Sequence, residues 1–224
     1  MDEVMLVAAS GLAREVLASL RSSGAHQVIG FLDDDPALAG TIIDGVRVLG
    51  GIPDVVDHPN ARVLICAGKG AVREVIASRL GLLGVRSERY ATVIDRTAIV
   101  SVGTTVGAGS VLLSNVVLTA GVRVGSHVVL MPNVTLTHDD ELADFATLTA
   151  GVSLGGSVHV GKAAYLGMNS SVREGRTVGA GATVGMGAAV VTDVPDGQTW
   201  VGVPARPIVA HHTEELVKEL GRIV

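Results

Sequence analysis

An aliphatic residue stands at every sixth position from Ile94 to Val190: Ile94, Val100, Val106, Leu112, Leu118, Val124, Leu130, Leu136, Leu142, Leu148, Leu154, Val160, Leu166, Val172, Val178, Val184 and Val190. A period of six matches neither the 3.6 residues of a helical turn nor the plain alternation of one half-exposed strand. It requires a short strand and a turn repeated many times, and the stretch reads as a hexapeptide β-helix. Two residues before the aliphatic position stands a small or β-branched residue, as at Ala98, Ser110, Val122, Val134 and Ala146, and glycine often follows it, as at Gly107, Gly125, Gly155 and Gly167. Inward side chains then stack on their equivalents one coil away, and the glycines are expected at the tight corners. Asp140 and Arg176 break the small positions and predict local distortion. With three hexads to a coil, the run makes a little over five coils, or ~25 Å at the spacing of paired strands.

The first ninety residues follow another pattern. Val4–Ala9 is a buried-strand run ending at Ser10-Gly11, after which Leu12, Val16 and Leu20 recur every four residues up to Ser22-Ser23-Gly24. Val28–Leu32 predicts a second strand, stopped by Asp33-Asp34-Asp35-Pro36. Arg62–Ala67 predicts a third, followed by a helix with Val72, Val75, Ile76 and Leu80 inside. This alternation implies a small parallel sheet of Rossmann type, here assigned to residues 1–90 and followed by the β-helix over 91–204. In the remaining tail, 205–224, Thr213 caps a short helix with Leu216, Leu220 and Ile223 on one side.

Composition narrows the function. A net charge of -5 argues against nucleic acid as a partner. No uncharged apolar run is long enough to span a bilayer and no signal peptide precedes the first strand, so a cytoplasmic location away from membranes is expected. The single cysteine, Cys66, leaves no disulfide framework and no thiolate cluster for a metal. Ligands of open α/β sheets sit beyond the strand ends, where helix N-termini offer free amides to anions. Ser10 and Gly11, Asp33 and Asp34, and Lys69 occupy three such tips. Ala9-Ser10-Gly11-Leu12-Ala13 lacks the spaced glycines of a dinucleotide fingerprint, so a redox cofactor is not expected. The same residues also suit a tight turn at Gly11, a solvated aspartate loop and an ordinary surface lysine.

Inside the repeat, His138 is followed by Asp139, the one histidine of seven with a carboxylate next in sequence. A histidine at a non-inward position, its tautomer fixed by an acid, suits general base chemistry. The combination of Ala8-Ala9-Ser10-Gly11-Leu12-Ala13-Arg14-Glu15, Phe31-Leu32-Asp33-Asp34, the unbroken hexads, His138-Asp139 and the closing Val201-Gly202-Val203-Pro204-Ala205 resembles the family of sialic acid O-acetyltransferases and nucleotide-sugar N-acetyltransferases. The resemblance implies a left-handed parallel β-helix, acetyl-CoA as cosubstrate without a metal, and homotrimers with active sites between neighbouring prisms. By the same resemblance His138 is the catalytic base and Asp139 its partner. Ser10, Gly11, Asp33, Asp34 and Lys69 become nucleotide-sugar ligands. Gly156 lies where a backbone amide approaches the thioester, and Gly185, Val203 and Arg206 line the coenzyme A groove. Two positions depart from the pattern: Met131 stands where many relatives carry a sugar-positioning asparagine, with Asn133 as a possible substitute, and Thr147 stands where relatives often show a histidine near the acetyl group.

Direct transfer needs no covalent enzyme intermediate: His138 takes a proton from the acceptor as the tetrahedral centre forms, and an amide, for which Gly156 is the candidate, meets the oxyanion. Three readings follow. The favoured one is an acetyl-CoA-dependent N-acetyltransferase acting on a nucleotide-linked amino sugar. The second is an O-acetyltransferase acting on a sugar hydroxyl, and the third is a non-catalytic trimeric scaffold.

Overall fold

Strand and helix alternate through the N-terminal part of the computed structural model, which describes residues 2–208. Five strands form one sheet: β1 (Asp2–Val7), β2 (His26–Leu32), β3 (Ile42–Ile43), β4 (Val46–Gly50) and β5 (Arg62–Ile65), in the order β3-β4-β2-β1-β5. The pairings of β1 with β2 and β5, and of β2 with β4, are parallel, whereas β3 turns back antiparallel on β4. The hairpin turns at Asp44-Gly45, both in the left-handed region, a short-range signal the strand reading passed over. Helix α1 (Gly11–Ser23) begins at Ser10, whose hydroxyl accepts the Ala13 amide, and stops at Gly24 with φ 65°.

Helix α2 (Gly70–Leu82) corrects the expected buried face. Ile76 and Leu80 are buried as expected, but Val72 and Val75 point to solvent, and Gly70 and Arg73 are buried in their place. An arginine holds a core position, which an apolar-period reading cannot find.

From Val93 to Val190, seventeen two-residue strands wind the parallel β-helix expected from the hexads, with the left hand implied by the family resemblance. From Val93–Ile94 through Ser171–Val172, each pairs in parallel with the strand eighteen residues on, as Val117 with Thr135 and Val129 with Thr147. The strands fall on three faces. The first face includes Val111–Leu112, Val129–Leu130, Thr147–Leu148 and Tyr165–Leu166; the second includes Val117–Leu118, Thr135–Leu136 and Ser153–Leu154; the third includes Arg123–Val124, Glu141–Leu142 and His159–Val160. The sixth-position aliphatics fill the prism, with Leu112, Leu118, Leu130, Leu136, Leu148 and Leu166 fully buried. Ile94 and Val100 remain partly exposed because they line the open lower end.

The glycines after the aliphatic residues are not the corner residues. None of Gly107, Gly125, Gly155, Gly161, Gly167, Gly179 or Gly185 has a positive φ. A Cβ on Gly107 would come within 2.5 Å of the Gly125 backbone, and one on Gly161 within 2.4 Å of the Ala180 nitrogen, so these glycines permit close stacking of coils. The left-handed corner falls two positions later, at every sixth residue from Gly103 to Gly187, and is held as readily by Asn115, His127, Asn133, Asp139, Phe145, Ser157 and Asn169 as by glycine.

The two parts share one core. Val111, Leu113 and Val129 of the first face belong to the same cluster as Val4, Leu6, Leu12 and Phe31, and Tyr90 pairs with Val63 before the chain enters the first coil. After the last full coil, Thr199–Val201 continues the first face and Arg206–Pro207 folds back on it. The expected C-terminal helix, with Thr213, Leu216, Leu220 and Ile223, lies outside the described residues. Among the described residues, no helix is long and apolar enough to cross a membrane.

Candidate active site

His138 and Asp139 form the corner between the second and third faces. Asp139 takes the left-handed conformation, φ 61°, so its side chain turns back toward its neighbour, and His138 Nδ1 lies 3.0 Å from Asp139 Oδ2. With Nδ1–H donating to that carboxylate, the neutral ring presents the lone pair of Nε2. Asp139 would also stabilise the imidazolium once formed.

The ring is seated on the coil above. A Cβ on Gly156 would stand 2.2 Å from His138 Nε2 and Cε1, so the imidazole occupies the space the glycine leaves. This is a structural reason for glycine there, independent of the expected approach of a thioester. His138 is nonetheless 65% exposed at its side chain within one chain. Among the described residues, nothing covers its outer side.

Beneath the pair lies a group whose chemistry the sequence reading did not use. Asp140 is fully buried; its Oδ2 accepts the Thr137 amide at 2.7 Å and its Oδ1 the Val158 amide at 2.9 Å. Burial pushes its pKa up to about 6, against the opposing pull of those two hydrogen bonds. The distortion expected here is visible, since the strands Thr135–Leu136 and Ser153–Leu154 pair only at their first residues.

The strand tips of the N-terminal part gather at the edge of the same assembly but against a different face. Ser10 is committed to structure: its hydroxyl accepts from the Ala13 amide and donates to the Cys66 carbonyl. Gly11 is exposed, with open space where a Cβ would be. Asp33 accepts the amides of Ala9 and Asp35, one on each oxygen, beside Ala8, which is held at φ 75°. Asp34 is tied to the Ile52 amide and the Arg79 guanidinium, and these bonds hold its carboxyl below its ordinary range despite partial burial. Cys66 is buried, its thiol pushed up to about 12 by desolvation, which removes it as a nucleophile.

Lys69 and Gly70 open α2 at a cleft of about 660 Å³ between this helix and the first face, where Met131, Tyr165 and Thr183 form the opposite wall. Lys69 precedes α2 without a side-chain cap, so the helix start faces the cleft with uncapped amides. Gly70 allows the docking: a Cβ there would lie 2.0 Å from the Phe145 carbonyl oxygen. Met131 lines this cleft, whereas Asn133 is a left-handed corner residue whose Oδ1 accepts from Asn115 Nδ2 at 3.4 Å.

Thr147 departs from its expected place. It is fully buried at the junction of the two parts, donating to the Gly68 carbonyl and accepting from Arg73. Its hydroxyl proton is spent on that carbonyl, because a short outward side chain on the first face meets the docked α2 loop. Arg73 is the residue the sequence reading missed there. Fully buried, it donates to the carbonyls of His127, Ala67, Gly68, Phe145 and Ala146 and to Thr147 Oγ1, all at 2.8–3.0 Å, and desolvation lowers its pKa to about 10. It remains a cation at neutral pH.

Gly185 packs against Val201, Val203 is 77% exposed beside the exposed Met186, and Arg206 donates to the Ala205 carbonyl with its side chain outward. Gly185 and Val203 stand at the corner between the first and second faces, with Arg206 just beyond on the first face; the His138 corner lies across the second face. The structure therefore brings His138, Asp139 and Gly156 together at one corner, Lys69 and Met131 together in the junction cleft, and leaves the coenzyme A candidates at another corner. Among the described residues, no three His, Cys, Asp or Glu side chains cluster as a metal site.

Comparison with known proteins agrees with this architecture. Residues 3–80 match the PglD N-terminal domain family. The acetyltransferase domain of PglB from Neisseria gonorrhoeae is 28% identical, with a TM-score of 0.84 over 93% of this chain and 100% of that one. PerB from Caulobacter crescentus, in complex with CoA and GDP-perosamine, is 28% identical, with a TM-score of 0.85 over 93% of this chain and 98% of that one. WeeI from Acinetobacter baumannii is 25% identical with a TM-score of 0.61, covering 93% of this chain and 100% of that one. No curated protein matches the chain.

Proposed function

We propose that this acyltransferase, similar to solved nucleotide-sugar acetyltransferases, transfers acetyl from acetyl-CoA to the amine of a nucleotide-linked amino sugar with His138 as general base. The observation that carries this reading is the geometry at the corner. Nδ1 is held by Asp139, Nε2 has no hydrogen-bond partner among the described residues, and the ring rests against Gly156. Nε2 takes the proton of the attacking amine as the tetrahedral centre forms, and the ring returns it to the departing thiolate of coenzyme A. The Gly156 amide meets the oxyanion. The similarity to the GDP-perosamine N-acetyltransferase of Caulobacter crescentus, whose structures hold CoA and GDP-perosamine, supports an amine acceptor over a hydroxyl.

The nucleotide is assigned to the N-terminal part. Lys69 and the uncapped start of α2 suit a diphosphate, Asp33 retains lone pairs for sugar hydroxyls, and the Gly11 turn leaves room for the backbone to approach. Asp34 contributes by holding its loop against Arg79 rather than as a free ligand.

The same geometry asks for a second chain. The N-terminal part sits on the first face, and His138 occupies the one corner of the prism that does not border that face. One chain cannot bring its own junction cleft, its coenzyme A candidates and its imidazole together. A homotrimer with each site shared between neighbouring prisms satisfies all three.

Replacing His138 by alanine is expected to lower kcat by about 10²- to 10⁴-fold while leaving assembly intact. Acetyl transfer to GDP-linked amino sugars and to matched hydroxyl acceptors, followed by thiol release, measures it. Undiminished turnover in the variant would remove His138 from the role, and transfer to hydroxyls alone would replace the amine reading.

A further inference from the structure

We infer that Asp140 is a positioning residue for His138, holding the backbone on both sides of its imidazole; the inference rests on the general-base reading above. Elsewhere along this corner, the amide that follows a second-face strand bonds to a carbonyl one coil up: Ser101 to Leu118, Thr119 to Leu136, Gly155 to Val172 and Arg173 to Val190. Thr137 alone in that series has left the ladder. Its amide donates to Asp140 Oδ2 at 2.7 Å, while its hydroxyl takes over the Leu154 carbonyl at 3.1 Å. A carboxylate has thereby replaced one rung of the sheet immediately before His138.

The second oxygen reaches the coil above. Asp140 Oδ1 accepts from Val158, two residues beyond the Gly156 against which the imidazole rests. One buried side chain thus ties the turn that carries the ring to the turn that forms its seat. At the equivalent inward rungs the chain has Val122 and Val158, which pack but accept no hydrogen bond, so the coil itself is built without a carboxylate. Ser110 shows the single-anchor version at another corner, accepting the Val128 amide one coil up at 3.0 Å. Among the inward positions of the described prism, Asp140 alone anchors two turns.

Burial makes the ionised side chain costly here, with His138 favouring and Asp139 opposing its charge. A group that packing alone would replace with valine, placed under the imidazole and bonded to both flanking turns, fits a role in fixing the ring. A misplacement of about 1 Å at such a ring is worth up to ~10²-fold in rate.

The test uses the full chain with Asp140→Val and Asp140→Asn. Steady-state kinetics with acetyl-CoA and a GDP-linked amino sugar give kcat and KM, and long-range ¹H–¹⁵N spectra of the ligand-free protein give the tautomer of the His138 ring. Asp140→Val is expected to lower kcat by about 10- to 100-fold with KM for acetyl-CoA changed less than about threefold, and to mix the two neutral tautomers. Asp140→Asn retains one acceptor and falls between. Both variants with kcat within about twofold and an unchanged tautomer would overturn the inference, leaving Asp140 as packing only. Should Asp140→Val fail to fold, Asp140→Asn decides on the same two readouts. An active His138→Ala would sink the general-base reading separately, while the ring spectrum would still report whether Asp140 positions the imidazole.

Discussion

The imidazole of His138 is placed by what its neighbours lack as much as by what they offer. Gly156 supplies the vacancy, Asp139 the orienting carboxylate and Asp140 the anchored turn. Gly156 does not have a positive φ, so alanine is compatible with its backbone, and the same corner column carries Ala120 below and Glu174 above. Gly156→Ala is therefore expected to fold with a melting temperature near that of the parent. The new methyl group, 2.2 Å from Nε2, forces the ring outward and should cost about tenfold or more in kcat. A variant that keeps its rate would show that the ring has another resting place. The His138-Asp139 pair was legible from sequence because a carboxylate beside a histidine is a local signal. The seat at Gly156 was not, because its reason lies eighteen residues away in sequence and one coil away in space.

At the scale of the elements, the corner between the third and first faces shows how a left-handed turn is used for docking. His127, at φ 55°, stacks on Phe145 one coil up with ring centroids 5.0 Å apart, and Tyr90 meets it edge-on at 4.5 Å. Burial lowers the His127 pKa to about 4, with the Arg73 charge adding to the effect and Asp144 opposing it. The unfolded chain thus binds a proton more readily than the folded one. Stability from this site is present above the ordinary histidine range, is lost as pH falls from about 6.5 through 4, and amounts to about 3 kcal/mol at most. His127→Phe, at a corner type that Phe145 already tolerates, should move urea-induced unfolding at pH 4.5 closer to its midpoint at pH 7.5. Parallel losses in parent and variant would place the acid sensitivity elsewhere. The hexads made the strands of this element legible to the residue. The corners were read two positions too early, because glycine marks both tight turns and close contacts, and composition does not separate the two.

Across the whole molecule, the junction of the two parts is tied by several polar contacts. Arg73 donates to carbonyls on both sides, Gly70 lets the helix start meet Phe145, and Lys162 pairs with Glu74 at 2.6 Å. Sequence marked both parts, yet put Val72 and Val75 on the inner side of α2 and passed over Arg73, since an amphipathic pattern weighs hydrophobicity and not the carbonyls awaiting a donor. With the cleft and the imidazole on different faces of the chain, the proposed shared site predicts an active particle of more than one chain. Sedimentation equilibrium is expected to give three times the 22.8 kDa of the single chain, and a stable, fully active monomer would contradict the shared site.

Because each strand pairs with the one eighteen residues away, from Val93 against Val111 to Ser171 against Ala189, length in this chain is quantised. A loop protein absorbs the gain or loss of one residue at a surface turn. Here a single deletion between Val111 and Val190 rotates everything downstream by a fraction of a revolution and severs the vertical alignment of three ladders at once, whereas removal of a full circuit leaves every ladder in phase and merely shortens the tower.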